Sequence, residues 1–393
     1  MLAVWLRCNM LGHMQPISPL RFALAGAFAM AAFMGIGRFV YTPALPAMMS
    51  ELGLTAGQAG LIASANFVGY LLGALGSAGT WASGRERPVM LVALASSTLL
   101  AAAMALTHSV TAFMVIRFLA GLASAFGMIF ISSIVVGQLI RAGRGQLQAI
   151  HFGGVGAGII LSSLMTAALH SIGATWAATW LGSAVLSAIA LVLVMVMVDR
   201  GSPVSANGGR ELPLPKDRRL TAMILAYGLF GFGYIVTATF LVAIVRQNGE
   251  SSLLESVVWL VTGIAVLPSV YLWSRLAARI GLAKVFAIGA VVEAVGVVAS
   301  VVLTGKIGPL VGGVLLGGTF VAITAIGLQF GRLVAPHSPR RVFALMTASF
   351  GVGQIIGPIF AGMLAEATGS FMLPSLFAAL VLVIAGALVV RAD

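Results

Sequence analysis

Charge is what this chain has least of. Lys, Arg, Asp and Glu make up 8% of its 393 residues, and only 10 side chains are acidic; soluble domains carry roughly 25% charged residues. The shortage excludes an ordinary water-facing surface. Cysteine is reduced to Cys8, so no internal disulfide can form. The five histidines (His13, His108, His151, His170 and His337) are scattered without ligand spacing, which gives no metal site. No P-loop or phosphorylation motif is visible, and "GGVGAG" at 153–158 lacks the preceding strand of a dinucleotide loop. Neither cofactor nor nucleic acid is therefore expected. No sizeable soluble domain or tail is present to serve a pure signalling or scaffold role.

What is there is apolar: 60% hydrophobic residues and a mean hydropathy of +1.09. Runs of about 20 such residues cross roughly 30 Å of hydrocarbon as helices, and at that segment length only helices satisfy their own backbone in lipid. Apolar runs between polar breaks predict twelve spans, near 21–46, 56–80, 88–107, 110–139, 147–170, 174–198, 220–246, 256–278, 283–304, 309–334, 342–366 and 370–390. The net charge of +12 then reads as topology. With the N-terminus inside, only Arg246 and Lys306 among the span-flanking basic residues fall outside, which places both termini in the cytoplasm. The first 13 residues lack the pattern of a signal peptide and are read as a leader.

The segment 199–219, rich in Gly, Pro and charge, divides the chain into an N-terminal unit, 1–198, and a C-terminal one, 220–393. The units repeat. "GIGRFVYTPAL" from Gly35 aligns with "GFGYIVTATFL" from Gly231, 231 − 35 = 196 positions on, and Gly121 aligns with Gly317 at the same offset. "GVG" at Gly154 meets "GVG" at Gly351, an offset of 197. Six spans separate the copies, so both run the same way through the membrane: a parallel repeat about an axis along the bilayer normal. The fold class expected is thus an all-α membrane protein of twelve transmembrane helices in two six-helix bundles.

Twelve spans, two halves and a basic central loop resemble the major facilitator superfamily. "GIGRFVYTPALP", "ANFVGYLLGAL", "GFGYIVTATFL" and "GGTFVAITAIGL" resemble its YbfB/YjiJ-like group of bacterial facilitators. The loop after span two, "GTWASGRER", keeps Gly79, Ala82 and Arg87 of the superfamily motif but has Ser83 in place of its aspartate; "SRLAARIG" has Ala278 there. Both acids that help latch the family's halves outward-facing are missing. "RFLAGLASA" in span four matches the motif of an arginine followed by a small-residue face. The resemblance implies that spans one, four, seven and ten line a central cavity.

Full charges well inside the spans are limited to Arg38, Arg117 and Glu293. Each costs roughly 2.5–3.5 kcal/mol in lipid on insertion scales, so each should face a partner or a wet cavity. No carboxylate in the first-half spans is available to pair with the arginines. Arg38, with Tyr41 one turn on, is therefore expected to bind an anionic substrate, such as the carboxylate of an amphiphilic molecule. The alternative is an Arg38 that snorkels or fixes helix packing, and Arg117 fits a structural or coupling role as well as a substrate contact. Asn66 and Tyr70 on span two, Tyr227 and Tyr234 on span seven, and Gln354 are uncharged candidates for the same site, with interfacial or interhelical bonding as their plainer role. Glu293 and His151 are candidates for proton coupling. Gly69/Gly73, Gly154/Gly158, Gly313/Gly317 and Gly353/Gly357 permit close helix approach.

The expected function is secondary active transport of a small organic solute, anionic by this reading, across the bacterial cytoplasmic (inner) membrane by a monomer in contact with membrane lipids. Proton-coupled efflux of hydrophobic drugs is the alternative. A membrane-embedded lipid-modifying enzyme is the remote one, because no His/Asp pairing accompanies Glu293.

Overall fold

The computed structural model describes residues 18–77, 81–198 and 212–392. The leader, Gly79 and most of the central linker lie outside them. The described chain is all-helical, with twelve helices long and apolar enough to cross a membrane. They are α1 (Pro19–Leu52), α2 (Ala56–Ser77), α3 (Glu86–Met104), α4 (Val110–Arg141), α5 (Gln148–Ser171), α6 (Trp176–Met197), α7 (Arg218–Gln247), α8 (Ser252–Ile280), α9 (Leu282–Val302), α10 (Ile307–Val334), α11 (Pro339–Thr368) and α12 (Met372–Ala392). Several outrun the apolar windows that predict them. The 32 residues of α4 extend to about 48 Å at about 1.5 Å each, because polar helix ends continue into water once the hydrocarbon is crossed.

Helices α1–α6 and α7–α12 form two bundles with the same internal pairing. In the first, α2 and α3 pack on α4, α1 on α5, and α3 on α6; in the second, α8 and α9 pack on α10, α7 on α11, and α9 on α12. Each pair maps onto its counterpart six helices later. The match extends to single atoms. A Cβ on Gly121 would run into the carbonyl of Asn66, and one on Gly317 into the carbonyl of Thr262. Since 66 + 196 = 262 and 121 + 196 = 317, both halves use glycine at the same crossing to bring backbones together.

The bundles meet along α2 with α11, α5 with α8, and α1 with α7. At the last seam residues touch their own repeat mates: Thr42 donates to the carbonyl of Ala238, and Arg246 Nη1 to Ser50 Oγ at 3.2 Å, each pair 196 apart. Contacts between equivalent positions arise only at a two-fold axis, so the pseudo-axis of the repeat runs between α1 and α7. The motif residue Arg87 stays within its own half, with Nε to the carbonyl of Val198 at 2.6 Å and Nη2 to that of Met195 at 3.0 Å.

Helix α1 is not regular. After Met30 it widens into a π-helical turn, Ala31–Ile36, and a tight turn over 37–40 precedes the helix that resumes at Tyr41. Pro43 accounts for the shift that follows. It has no N–H to give the carbonyl of Phe39, so Thr42 N–H turns to that carbonyl at 3.2 Å and the carbonyl of Arg38 is left without its helical donor. The break falls at mid-membrane, where an unpaired peptide group is costly.

Candidate functional site

Two arginines meet at this break, and they do opposite things. Arg117, on α4, is 2% exposed. Its Nη1 donates to the carbonyl of Gly37 at 2.9 Å and its Nη2 to the carbonyl of Arg38 at 3.1 Å, which repairs the gap left by Pro43. Tyr41 and Trp180 lie against its guanidinium, 5.1 and 5.7 Å from the ring centroids. Of the two roles the sequence leaves open for Arg117, this geometry supports the structural one: both terminal nitrogens are held by peptide oxygens, Nε is buried without a partner among the described residues, and the side chain is outside the cavity lining.

Arg38 is 4% exposed, yet its Nε and Nη2 are buried without a hydrogen-bond partner among the described residues. Its guanidinium lies 4.4 Å from the ring centroid of Tyr70, 4.6 Å from Phe67 and 5.7 Å from Phe39. Cation–π contact offsets part of the cost of burial but satisfies no N–H. The side chain lines a central cavity of about 190 Å³ between the two halves.

From the first half the cavity takes Met30, Met34, Arg38 and Phe39 of α1, Tyr70 of α2, Met128 of α4 and Phe152 of α5; from the second it takes Tyr227 and Tyr234 of α7, Phe320 and Thr324 of α10, and Phe343, Thr347 and Phe350 of α11. Arg38 and Tyr234 are repeat mates (234 − 38 = 196), so both sit beside the pseudo-axis. Helices α2, α5 and α11 thus join the four helices that the family resemblance implies.

Other candidates separate. Tyr70, Tyr227 and Tyr234 reach the cavity, but their hydroxyls are engaged: Tyr70 with the sulfur of Met128 at 3.2 Å, Tyr227 with the carbonyl of Thr324 at 3.0 Å, and Tyr234 with the amide of Gln354. Tyr41 is withdrawn from Arg38; its hydroxyl donates to the carbonyl of Ala59 at 2.9 Å and its ring supports Arg117. The Asn66 amide donates to the backbone carbonyl of Arg117 at 2.9 Å and ties α2 to α4. Asn66 and Tyr70 are neighbours on the helix, but only the latter lines the cavity. Gln354 stands behind Tyr234 and holds its ring in place.

Glu293 on α9 is buried against the Thr319 hydroxyl of α10, with Oε1 unpartnered, and lies outside the cavity wall. His151 is fully buried, with Nε2 3.0 Å from the Ser132 hydroxyl. The rings of Phe67, Phe320 and Phe350 were not singled out from the sequence. Phe67 lies three residues before Tyr70 on one helix face, which was the available signal.

The cavity lies toward the end where α1 begins and α12 ends, the end to which Met30, Phe152, Leu328 and Phe343 are nearest on their helices. Beyond Arg38, Phe39 packs edge-on against Phe320 at 5.4 Å, and the far end of the molecule is tied shut. There Gly57 N–H donates to the Glu366 carboxylate at 2.9 Å, Ser64 to the carbonyl of Ile355 at 2.7 Å, and Ser163 to the carbonyl of Ser256 at 2.6 Å, all across the halves. Glu255, 3% exposed, holds Arg246 by two bonds of 2.7 and 2.8 Å while Arg246 reaches Ser50. Arg246→Ala is expected to loosen this closure. With Cys8 replaced by serine and spin labels at positions 108 and 306, on far-end loops of the two halves, longer distances should gain population; an unchanged distribution would show that Arg246 is not part of the latch.

Two bundles repeated in parallel, an interrupted first helix and a cavity on the pseudo-axis closed at one end define a transporter of the major facilitator type. The chain belongs to the family described as the uncharacterised MFS-type transporter YbfB, whose model matches residues 30–390; it is a multi-pass membrane transporter, not an enzyme. Its fold is similar to that of a bacterial homologue of the human lysosomal transporter Spinster in an inward-facing and occupied conformation (TM-score 0.74, 16% identity, covering 96% of this chain and 97% of that one). It is also similar to the nucleoside transporter NupG (TM-score 0.71, 18% identity, covering 95% and 98%). At such identities the likeness speaks for the fold alone. No curated protein matches the chain.

Proposed function

We propose that this transporter moves a small organic anion across the cytoplasmic membrane by alternating access, with both termini in the cytoplasm and the cavity on the cytoplasmic side. The observation that carries the reading is Arg38: a buried guanidinium at the cavity wall with two nitrogens unpaired. A charge so placed is costly until a counter-charge arrives. The basic residues Arg85, Arg87, Arg141, Arg144, Arg275, Arg279, Arg332, Arg340 and Arg341 at the end with the termini support the orientation.

The rest of the wall narrows the cargo. Among the described residues no carboxylate lines the cavity, so a cationic drug would find no charged partner in this wall. Tyr70, Tyr227 and Thr324 donate their hydroxyl protons elsewhere, and the hydroxyls left to a guest, those of Tyr234 and Thr347, are few for a sugar or nucleoside. A thermal-shift screen of the purified protein should show stabilisation by organic anions and none by neutral sugars or cationic drugs. A selective response to cations would overturn the assignment. The apolar rings and methionines favour a second reading, efflux of neutral hydrophobic drugs; stabilisation by such compounds unaffected by Arg38→Ala would establish it instead.

Coupling to protons is assigned to Glu293, whose carboxyl has one oxygen on Thr319 and one free, and which lies on α9 behind the cavity wall of α10. Its repacking as α10 moves would change the cost of ionisation. In proteoliposomes, Glu293→Gln is expected to abolish uphill accumulation driven by a pH gradient while counterflow exchange continues; His151→Gln, with its ring locked against Ser132, should alter neither. Gradient-driven uptake that survives Glu293→Gln would remove the carboxyl from this role. The transporter is proposed to act as a monomer, since cavity and closure are both built from one chain.

A further inference from the structure

We infer that the cargo is a planar aromatic monocarboxylate of single-ring size, its carboxylate on Arg38 and its ring against the α7/α10/α11 wall. The inference rests on the organic-anion reading and adds the shape and valence of the molecule.

The charge comes first. Nε and Nη2 are the two nitrogens whose N–H bonds run parallel along one edge of a guanidinium, and these are the two left unpaired in Arg38. That edge matches the two oxygens of a carboxylate as a bidentate fork. The rings of Tyr70, Phe67 and Phe39 lie around the cation and the unpaired edge is buried, so a carboxylate reaches it as these rings give way. Arg38 is the one arginine among the described residues that lines the cavity, and it answers a single negative charge; Arg117, with Nη1 and Nη2 on the carbonyls of Gly37 and Arg38 and Nε buried unpaired, stands outside the lining. A dianion would bury its second charge unpaired.

The opposite wall supplies the shape. Tyr234 lies nearly parallel to Phe320 (5.7 Å between centroids, 8°) and to Phe350 (5.6 Å, 14°). All three line the cavity. Their planes share one orientation, held from behind by the Gln354 bond to the Tyr234 hydroxyl. A flat guest can extend such an offset stack, a contact that a puckered ring cannot make. The space of about 190 Å³ falls below the roughly 300–1,000 Å³ of drug-sized pockets, so one ring fits and a long chain does not. Such a guest would touch the first half through its charge and the second through its ring. Differential contact with both bundles is what lets a bound solute bias their rocking.

The test is calorimetric titration of the full-length detergent-purified protein with three probes: benzoate, cyclohexanecarboxylate and benzamide. Benzoate is expected to bind about five- to tenfold tighter than cyclohexanecarboxylate, the scale of an aromatic pair, and benzamide far more weakly than either. Tyr234→Leu should erase the preference for benzoate over cyclohexanecarboxylate, while Tyr234→Phe, which keeps the ring, should retain it if its elution profile is native. Equal binding of the two carboxylates would overturn the aromatic inference and leave the anion reading standing. Equal binding of benzoate and benzamide would overturn the anion reading itself. Failure of both carboxylates to bind would overturn both.

Discussion

Arg38→Ala is expected to lower benzoate affinity by about thirtyfold to a few thousandfold and, at the same time, to leave the ligand-free protein as stable as before or more so. The first effect follows from truncating one side of a buried, bidentate charge pair, which costs roughly 2–5 kcal/mol, at about 1.4 kcal/mol per tenfold in affinity. The second follows from the empty state, where Nε and Nη2 make no hydrogen bond and their burial is a standing cost. Arg38→Lys should keep the charge, lose the fork and fall between the two. Melting curves with and without benzoate read both effects from one sample. A large fall in ligand-free stability would show that Arg38 is architectural.

For Arg117 the expected signs are reversed. Arg117→Ala strands the carbonyls of Gly37 and Arg38 in the membrane interior, at about 1–3 kcal/mol per group, and the melting temperature should fall. The cause assigned to the break makes a sharper prediction. Pro43→Ala returns an N–H to position 43 that can take the carbonyl of Phe39, which frees Thr42 N–H to return to Arg38. The pair Pro43→Ala, Arg117→Ala should therefore lose less stability than the sum of its members. Additive losses in the melting temperatures of the four proteins would remove Pro43 as the reason Arg117 is needed.

These two residues also mark how far the site can be read from the sequence. Each is an arginine in an apolar helix without an acid nearby, so burial cost singles out both, and it is the family resemblance of "RFLAGLASA" that points Arg117 toward a structural role. What separates them is whether a backbone carbonyl lies within reach. That depends on a π-helical turn and on the crossing of α4 over α1, neither of which leaves a residue pattern. Tyr41 and Asn66 are placed by the same kind of contact. Spacing along a helix puts Tyr41 one turn beyond Arg38 and Asn66 one turn from Tyr70, but the irregular turn at 37–40 and the close approach at Gly121 send them to Ala59 and to the backbone of α4. Tyr227 and Tyr234 lie on a regular helix, and there the spacing brought both to the cavity.

Composition and residue spacing are enough to establish the solvent, the twelve crossings, the two-fold repeat and the presence of a charge in need of a partner. Those features follow from transfer energies and chain periodicity, which act locally. Which guanidinium is bound to the backbone, which is left without partners, and which rings face it are settled by packing. Those choices depend on distances between helices far apart in the chain, and a one-dimensional pattern carries no record of them.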